Sequence, residues 1–137
     1  MPGLPLEFVV VGVPASVQSA TWRKRGWKRQ VEEHGRRAWG EDEQPLTGPV
    51  QFHMVFYFEG TLPRLDVDNM IKLTQDALND IVYKDDSQLL RTASDVRDIN
   101  AAYRCRGMGL ATARGFIANE PFVVIRVMEP PDLEVLP

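Results

Sequence analysis

Apolar and polar positions along the chain fall into short stretches of two different periods. Leu6–Val13 (LEFVVVGV) is β-branched and apolar and is closed by Pro14, the mark of a strand. Ala15–Thr21 is a polar connection. In Trp22–Trp39, apolar residues at Trp27, Val31 and Ala38 recur at helical spacing while the rest of the circumference is basic. Gly40–Pro49 is a turn-rich acidic link. Val50–Phe58 (VQFHMVFYF) alternates and then runs apolar, predicting a strand buried on at least one face; Gly60, Pro63 and Arg64 break it. Asp68 to about Asp80 is the clearest helix. Its positions Ile71, Leu73, Thr74, Ala77, Leu78 and Ile81 keep to one broad stripe, and Asp68 stands where an N-cap belongs. Leu89–Ile99 reads as a strand with polar interruptions and Pro121–Glu129 (PFVVIRVME) as the last strand.

Between those two strands, Asn100–Glu120 shows no regular period. It carries Arg104, Arg106, Gly107, Gly109, Arg114 and Gly115, a long basic loop of the kind that compact domains keep for function or leave disordered. The order β-α-β-α-β-β supplies two helices for four strands. It predicts an α+β fold, a single domain over residues 1–137, with a mixed sheet, both helices packed against it, and a loose proline-rich tail over 129–137. Strand order does not follow from the pattern.

Composition narrows the class. A chain of 137 residues, 44% hydrophobic and 26% charged, has the size and balance of a soluble globular domain. The apolar runs, such as Phe8–Val11, are short and far below the roughly 20 residues of a membrane helix. Met1–Pro5 carries no positive charge, so a secretory signal is not expected. The lone Cys105 permits no internal disulfide, which fits a reducing cytoplasm. The net charge of −3 argues against nucleic-acid binding when taken as a bulk figure. Its distribution reads differently. Thr21–Gly40 sets Arg23, Lys24, Arg25, Lys28, Arg29, Arg36 and Arg37 against Glu32 and Glu33, and Arg91–Arg114 sets five arginines against Asp95 and Asp98. Segregated charge suits a surface that faces phosphates, and also an ordinary solvated helix.

One segment stands apart: Leu65-Asp66-Val67-Asp68-Asn69-Met70-Ile71-Lys72, then Asp76-Ala77-Leu78-Asn79, then Tyr83-Lys84-Asp85-Asp86-Ser87-Gln88. In extended backbone Asp66 and Asp68 point to the same side, and two carboxylates that close repel unless a cation separates them. Lys72 lies one helical turn beyond Asp68 on the same face. Hard oxygen donors with open water positions are what Mg²⁺ prefers. Taken singly, each feature has a plain explanation: a helix cap at Asp68, a solvated ladder through Lys72 and Asp76, a surface turn at Lys84–Ser87. The combination of D-x-D-N-x-x-K with a second acidic pair across an apolar helix favours chemistry.

Other motifs fail on spacing. An EF-hand counted from Asp66 places Ile71 at the turn glycine and Ala77 at the bidentate glutamate. Gly107-Met108-Gly109 lacks the third glycine and the lysine of a phosphate loop. His34 and His53 are too few for zinc, and His53 is expected to be packed within its strand. Trp22, Trp27 and Trp39 lie among arginines; they suit base stacking, and more commonly such residues bury a basic helix against the core.

The run from Asp66 to Gln88, about a sixth of the chain, resembles the signature of the RusA family of Holliday junction resolvases. The resemblance implies a homodimer with a mixed sheet, each subunit cutting one of two opposed strands of a four-way DNA junction in recombination and repair. It implies Mg²⁺, with Mn²⁺ as a substitute, held by Asp66, Asp68 and Asp86, with Asp85 as an accessory ligand and Lys72 as the catalytic lysine. Asn69, Asp76 and Gln88 match supporting positions. Family members often carry a basic run before the first aspartate, where this chain has only Arg64. Phosphate contacts are therefore expected from Arg23, Lys24, Arg25, Lys28 and Arg29 and from Arg104, Arg106 and Arg114. The reading is a cytoplasmic, nucleoid-associated endonuclease with branched DNA as partner, no membrane and no small-molecule cofactor. The alternatives are a catalytically silent DNA-binding module of the same fold, or a metal-dependent phosphoesterase acting on other branched DNA or nucleotides.

Overall fold

The computed structural model describes residues 3–58, 67–98, 112–113, 115–116, 120–130, 132 and 134, without the side chains of Val67 and Asp68. The elements are β1 (Leu6–Val11), α1 (Thr21–Trp39), β2 (Val50–Phe58), α2 (Val67–Ala77), a 3-10 turn (Asp86–Gln88), β3 (Leu89–Asp98) and β4 (Phe122–Met128). The α+β class and the element order agree with the pattern of apolar positions. β1 is shorter than expected because Gly12, with a φ of 128°, turns the backbone out of the strand. α2 likewise stops early, since Asp80 adopts the left-handed region at φ 64°, which a short polar side chain tolerates.

The four strands form one sheet in the order β1-β4-β2-β3. β4 pairs antiparallel with both β1 and β2, while β2 and β3 run parallel and are joined through α2. Consecutive β3 and β4 are therefore not neighbours: β4 lies between β1 and β2. Its sequence explains the place. Phe122, Val123, Val124 and Ile125 are all fully buried, as a strand covered on both faces requires. β3, at the sheet edge, is polar and largely exposed.

One face of the sheet carries the main core. Leu6, Phe8 and Val10 of β1, Phe52, Met54 and Phe56 of β2, and Val123, Ile125 and Val127 of β4 meet both helices there. From α1, Trp27, Val31, Gly35 and Trp39 point inward at four-residue steps. Ala38, expected to be inward, is only partly buried against this core. From α2 and its exit come Met70, Leu73, Ala77, Leu78 and Ile81. Two contacts fix one helix on the other. The buried Trp27 Nε1 donates to Thr74 Oγ1 at 3.0 Å, and that hydroxyl donates to Met70 O, also at 3.0 Å. Gly35 lies against Leu78 and Phe8 so closely that a Cβ there would come within 2.6 Å of a Leu78 methyl. These contacts advance in the same order along α1 and along α2 and its exit, so the helices run in the same sense.

The other face holds a smaller cluster. Val55, Phe122 and Val124 are packed against Val9, Tyr57 and Phe116. Tyr57 stacks on Phe122 with centroids 4.6 Å apart, and Phe116 meets both rings edge-on. The stretch 100–120, expected to lack regular structure, is helical in backbone at 112–113 and 115–116. Gly115 is read from the sequence as part of a long irregular loop. It is buried instead, and a Cβ there would overlap the Phe122 ring, so close packing on the sheet explains that glycine.

Candidate active site

α2 turns Met70, Leu73, Thr74 and Ala77 into the core and leaves Lys72 and Asp76 outward, one turn apart. Position 68 lies one turn before Lys72 on the same helical face. Beyond Ala77 the chain reverses: Leu78 N–H donates to Gln75 O, and Asp80 N–H to Tyr83 O at 2.7 Å. The buried segment 81–83 then runs back beneath the helix. Tyr83 is fully buried, and its hydroxyl donates to Gln75 O at 2.7 Å. The reversal delivers Asp86 to Lys72. Lys72 Nζ stands 3.6 Å from Asp86 Oδ2 and 3.7 Å from Asp76 Oδ1.

The acidic link between α1 and β2 fastens this return. Leu46 N–H donates to Val82 O and Lys84 N–H to Leu46 O. Gln88 Nε2 donates to Leu46 O at 2.9 Å and Gly48 O at 2.7 Å, while its Oε1 accepts from Asp85 N–H. Asp85 in turn caps the 3-10 turn, accepting from Ser87 N–H at 3.2 Å. The hydrogen bonds from Ser87, side chain first and backbone second, hold the Asp85 carboxyl below the usual carboxylate range. Of the acidic pair, then, Asp85 shapes the turn and Asp86 reaches the lysine.

Electrostatics around the lysine are negative. Burial drives the Tyr83 hydroxyl well above its ordinary pKa, and the charges of Asp76 and Asp86 push it further. Two carboxylates from different elements converge on one ammonium, each about a third exposed. Oxygen donors that converge and stay open to water suit a hard divalent cation. Among the described residues no group of three or more metal-ligating side chains gathers. Asp66 and the side chain of Asp68 lie outside those residues. The backbone at Asp68 is already helical, so Asp68 lies inside the helix rather than at its cap, and the extended alternation expected to align it with Asp66 does not reach it.

The expected DNA contacts divide. Arg25 and Arg29 are exposed on α1, and Lys28 is half-buried. Arg23 Nη2 donates to Val13 O at 2.7 Å and Lys24 Nζ to Val17 O at 3.3 Å, so both cations also tie the preceding connection to the helix. Arg64, Arg104, Arg106 and Arg114 lie outside the described residues. Trp27 and Trp39 are buried, while Trp22 is 77% exposed.

Two features escaped the sequence reading. Asp76, taken there as a supporting residue, shares the lysine. His53, expected to be packed in its strand, faces the sheet side away from the helices and joins a polar row across all four strands. In that row Arg126 Nε donates to Glu7 Oε2 at 2.7 Å. Arg126 Nη1 lies 3.3 Å from His53 Nδ1, and His53 Nε2 lies 2.9 Å from Asp95 Oδ2. A guanidinium only donates, so Nδ1 accepts and Nε2 carries the proton given to Asp95. Thr112, which is buried, closes the row by donating to Glu7 Oε1 and accepting from Arg126 Nη2. Period-two alternation places Glu7, His53 and Arg126 on one side of their strands, but not beside each other.

Among the described residues no helix is long and apolar enough to cross a membrane. No curated protein matches the sequence. The family model for the endodeoxyribonuclease RusA matches residues 17–102, a span that runs from just before α1 to just past β3 and contains the lysine, both of its acids and the capping turn. With that match over more than half its length, the chain belongs to the RusA endodeoxyribonuclease family.

Proposed function

We propose that this protein is a Mg²⁺-dependent, homodimeric endonuclease that resolves four-way DNA junctions in recombination and repair. The observation that carries the reading is Lys72 held between Asp76 and Asp86, inside the span matched by the family model. Asp66, Asp68 and Asp86 would hold the cation, with Mn²⁺ able to replace it. Bound there, the ion would supply Lewis-acid chemistry, polarising the scissile phosphate and lowering the pKa of an attacking water.

The protein's own groups do the rest. In hydrolysis the water oxygen bonds to phosphorus, one P–O ester bond breaks, and the departing oxygen takes up a proton. Lys72, flanked by two acids and 60% exposed, can turn its ammonium toward the charge that develops on phosphate or departing oxygen. Concentrated acid beside phosphate weakens plain binding, which speaks for catalysis over a silent DNA-binding module. Arginines on α1 and in the 100–120 stretch supply phosphate contacts. Two symmetric strands to be cut call for a twofold protein.

The test is a synthetic four-way junction incubated with protein and Mg²⁺ beside a matched linear duplex, with light scattering on the free protein. Paired metal-dependent nicks in the junction alone, made by a dimer, are expected. Equal cutting of the duplex, no cutting at all, or a monomer with and without junction would overturn the reading.

A further inference from the structure

The three tryptophans of α1 have different fates: Trp27 and Trp39 are each 1% exposed, Trp22 is 77% exposed. We propose that Trp22 is a stacking platform for a nucleobase left unstacked at the branch of a DNA junction, with Arg25 and Arg29 holding the neighbouring phosphates. This rests on the DNA-cleaving reading above and adds the group that recognises an opened base.

Trp22, Arg25, Gly26 and Arg29 are all exposed and share one stripe of the helix, spaced three and four residues apart. Side chains on a helix lean toward its N-terminus, so the residue four positions after Trp22 is the one that would cover the indole. That residue is Gly26, and a Cβ built there meets no atom within 4 Å. Glycine inside a helix is unfavourable relative to alanine by roughly 1 kcal/mol. Packing explains Gly35, which abuts Leu78; nothing packs against Gly26. Its effect is a shallow cleft beside the indole, lined by Trp22, Arg23, Gly26, Trp27 and Gln30.

Charge names the occupant. The first turn of α1 holds no acidic residue and no side-chain cap, so the helix dipole and the nearby cations are both positive there. An aromatic plane flanked by cations fits a base and its phosphates, and every base offers a π-face. In an intact duplex those faces are already stacked, so an indole gains access only where pairing is interrupted. Position also agrees. Trp27 meets Thr74 and Gly35 meets Leu78, so the helices run in the same sense and the start of α1 lies at the end of the layer where α2 begins.

The test compares wild type, W22A, W22F, G26L and R25A/R29A in binding to a four-way junction and a matched duplex over a range of salt. A second junction carries 2-aminopurine at the branch. W22A is expected to weaken junction binding about tenfold with an unchanged salt slope, because stacking releases no counterions. W22F retains most of the affinity. G26L, which covers the indole while favouring the helix, weakens binding without loss of thermal stability. R25A/R29A flattens the slope by about two. Wild type quenches the 2-aminopurine and W22A leaves it bright. A W22A protein that binds and cuts the junction like wild type overturns the inference and leaves the nuclease reading standing. Equal loss on the duplex, or an altered sedimentation coefficient, overturns it by making Trp22 a general docking or subunit contact. A wild type that ignores the junction overturns both.

Discussion

Lys72 Nζ and Asp86 Oδ2 stand 3.6 Å apart, across the reversal that follows α2. The gap exceeds a good hydrogen bond and the lysine is 60% exposed, so the pair contributes little to folding. What keeps it in place is the buried turn beneath: Tyr83 bonded to Gln75, Asp80 in the left-handed region, and Gln88 latched to Leu46 and Gly48. A buried scaffold holds a pair that does little to stabilise the scaffold in return.

Replacing that lysine separates catalysis from binding. K72A should lower the single-turnover rate on saturating junction about 100-fold or more, as loss of one transition-state donor does, with little change in affinity. Quenched-flow or gel kinetics with Mg²⁺, beside equilibrium binding, measure both. Loss of affinity with an unchanged rate would make Lys72 a docking residue.

D68N should abolish cleavage while leaving junction binding intact or tighter, since a repulsive carboxylate near phosphate is removed. A variant that cuts at the wild-type rate in a Mg²⁺ gel assay would remove Asp68 from the metal set.

The Trp27–Thr74 bond is a stability element rather than a catalytic one. T74V leaves the buried Trp27 N–H without its acceptor and should cost about 1–3 kcal/mol, read as a lower urea midpoint with unchanged m-value. Cleavage below the transition should persist.

R126M removes the partner of Glu7 and the donor to His53, both on the sheet face away from the helices. Destabilisation of about 1–3 kcal/mol is expected. Amide exchange should accelerate around Thr112 and Phe116, whose segment that face anchors. Unchanged protection there would mean that the aromatic contacts alone hold the segment.

The triple variant R104A/R106A/R114A should weaken junction binding and flatten the slope of log affinity against log salt by about two or more, with metal-dependent chemistry at saturation nearly unchanged. A wild-type slope and affinity would exclude these arginines from the DNA footprint.

Local periodicity determined the elements of this protein and the motif on them. β2 has the bounds that its alternation predicts, α1 differs by one residue, and the D-x-D-N-x-x-K run with its second acidic pair marks the candidate site in the bare sequence. Burial of a strand or helix face is written in a few adjacent residues, so such features survive in the bare chain. Tertiary structure alone decided which distant pieces meet. β4 lies between β1 and β2 because its apolar run Phe122–Ile125 needs cover on both faces, and no local signal states who provides it. Asp76 joins Asp86 at Lys72 through a reversal made by Asp80 and Tyr83, and Asp68 falls within a helix turn instead of capping it. His53 gains Asp95 and Arg126 from neighbouring strands, and Trp22 stays in water while Trp27 and Trp39 do not. Each of those outcomes depends on partners remote in sequence, whose contact energies exist only once the chain has closed on itself.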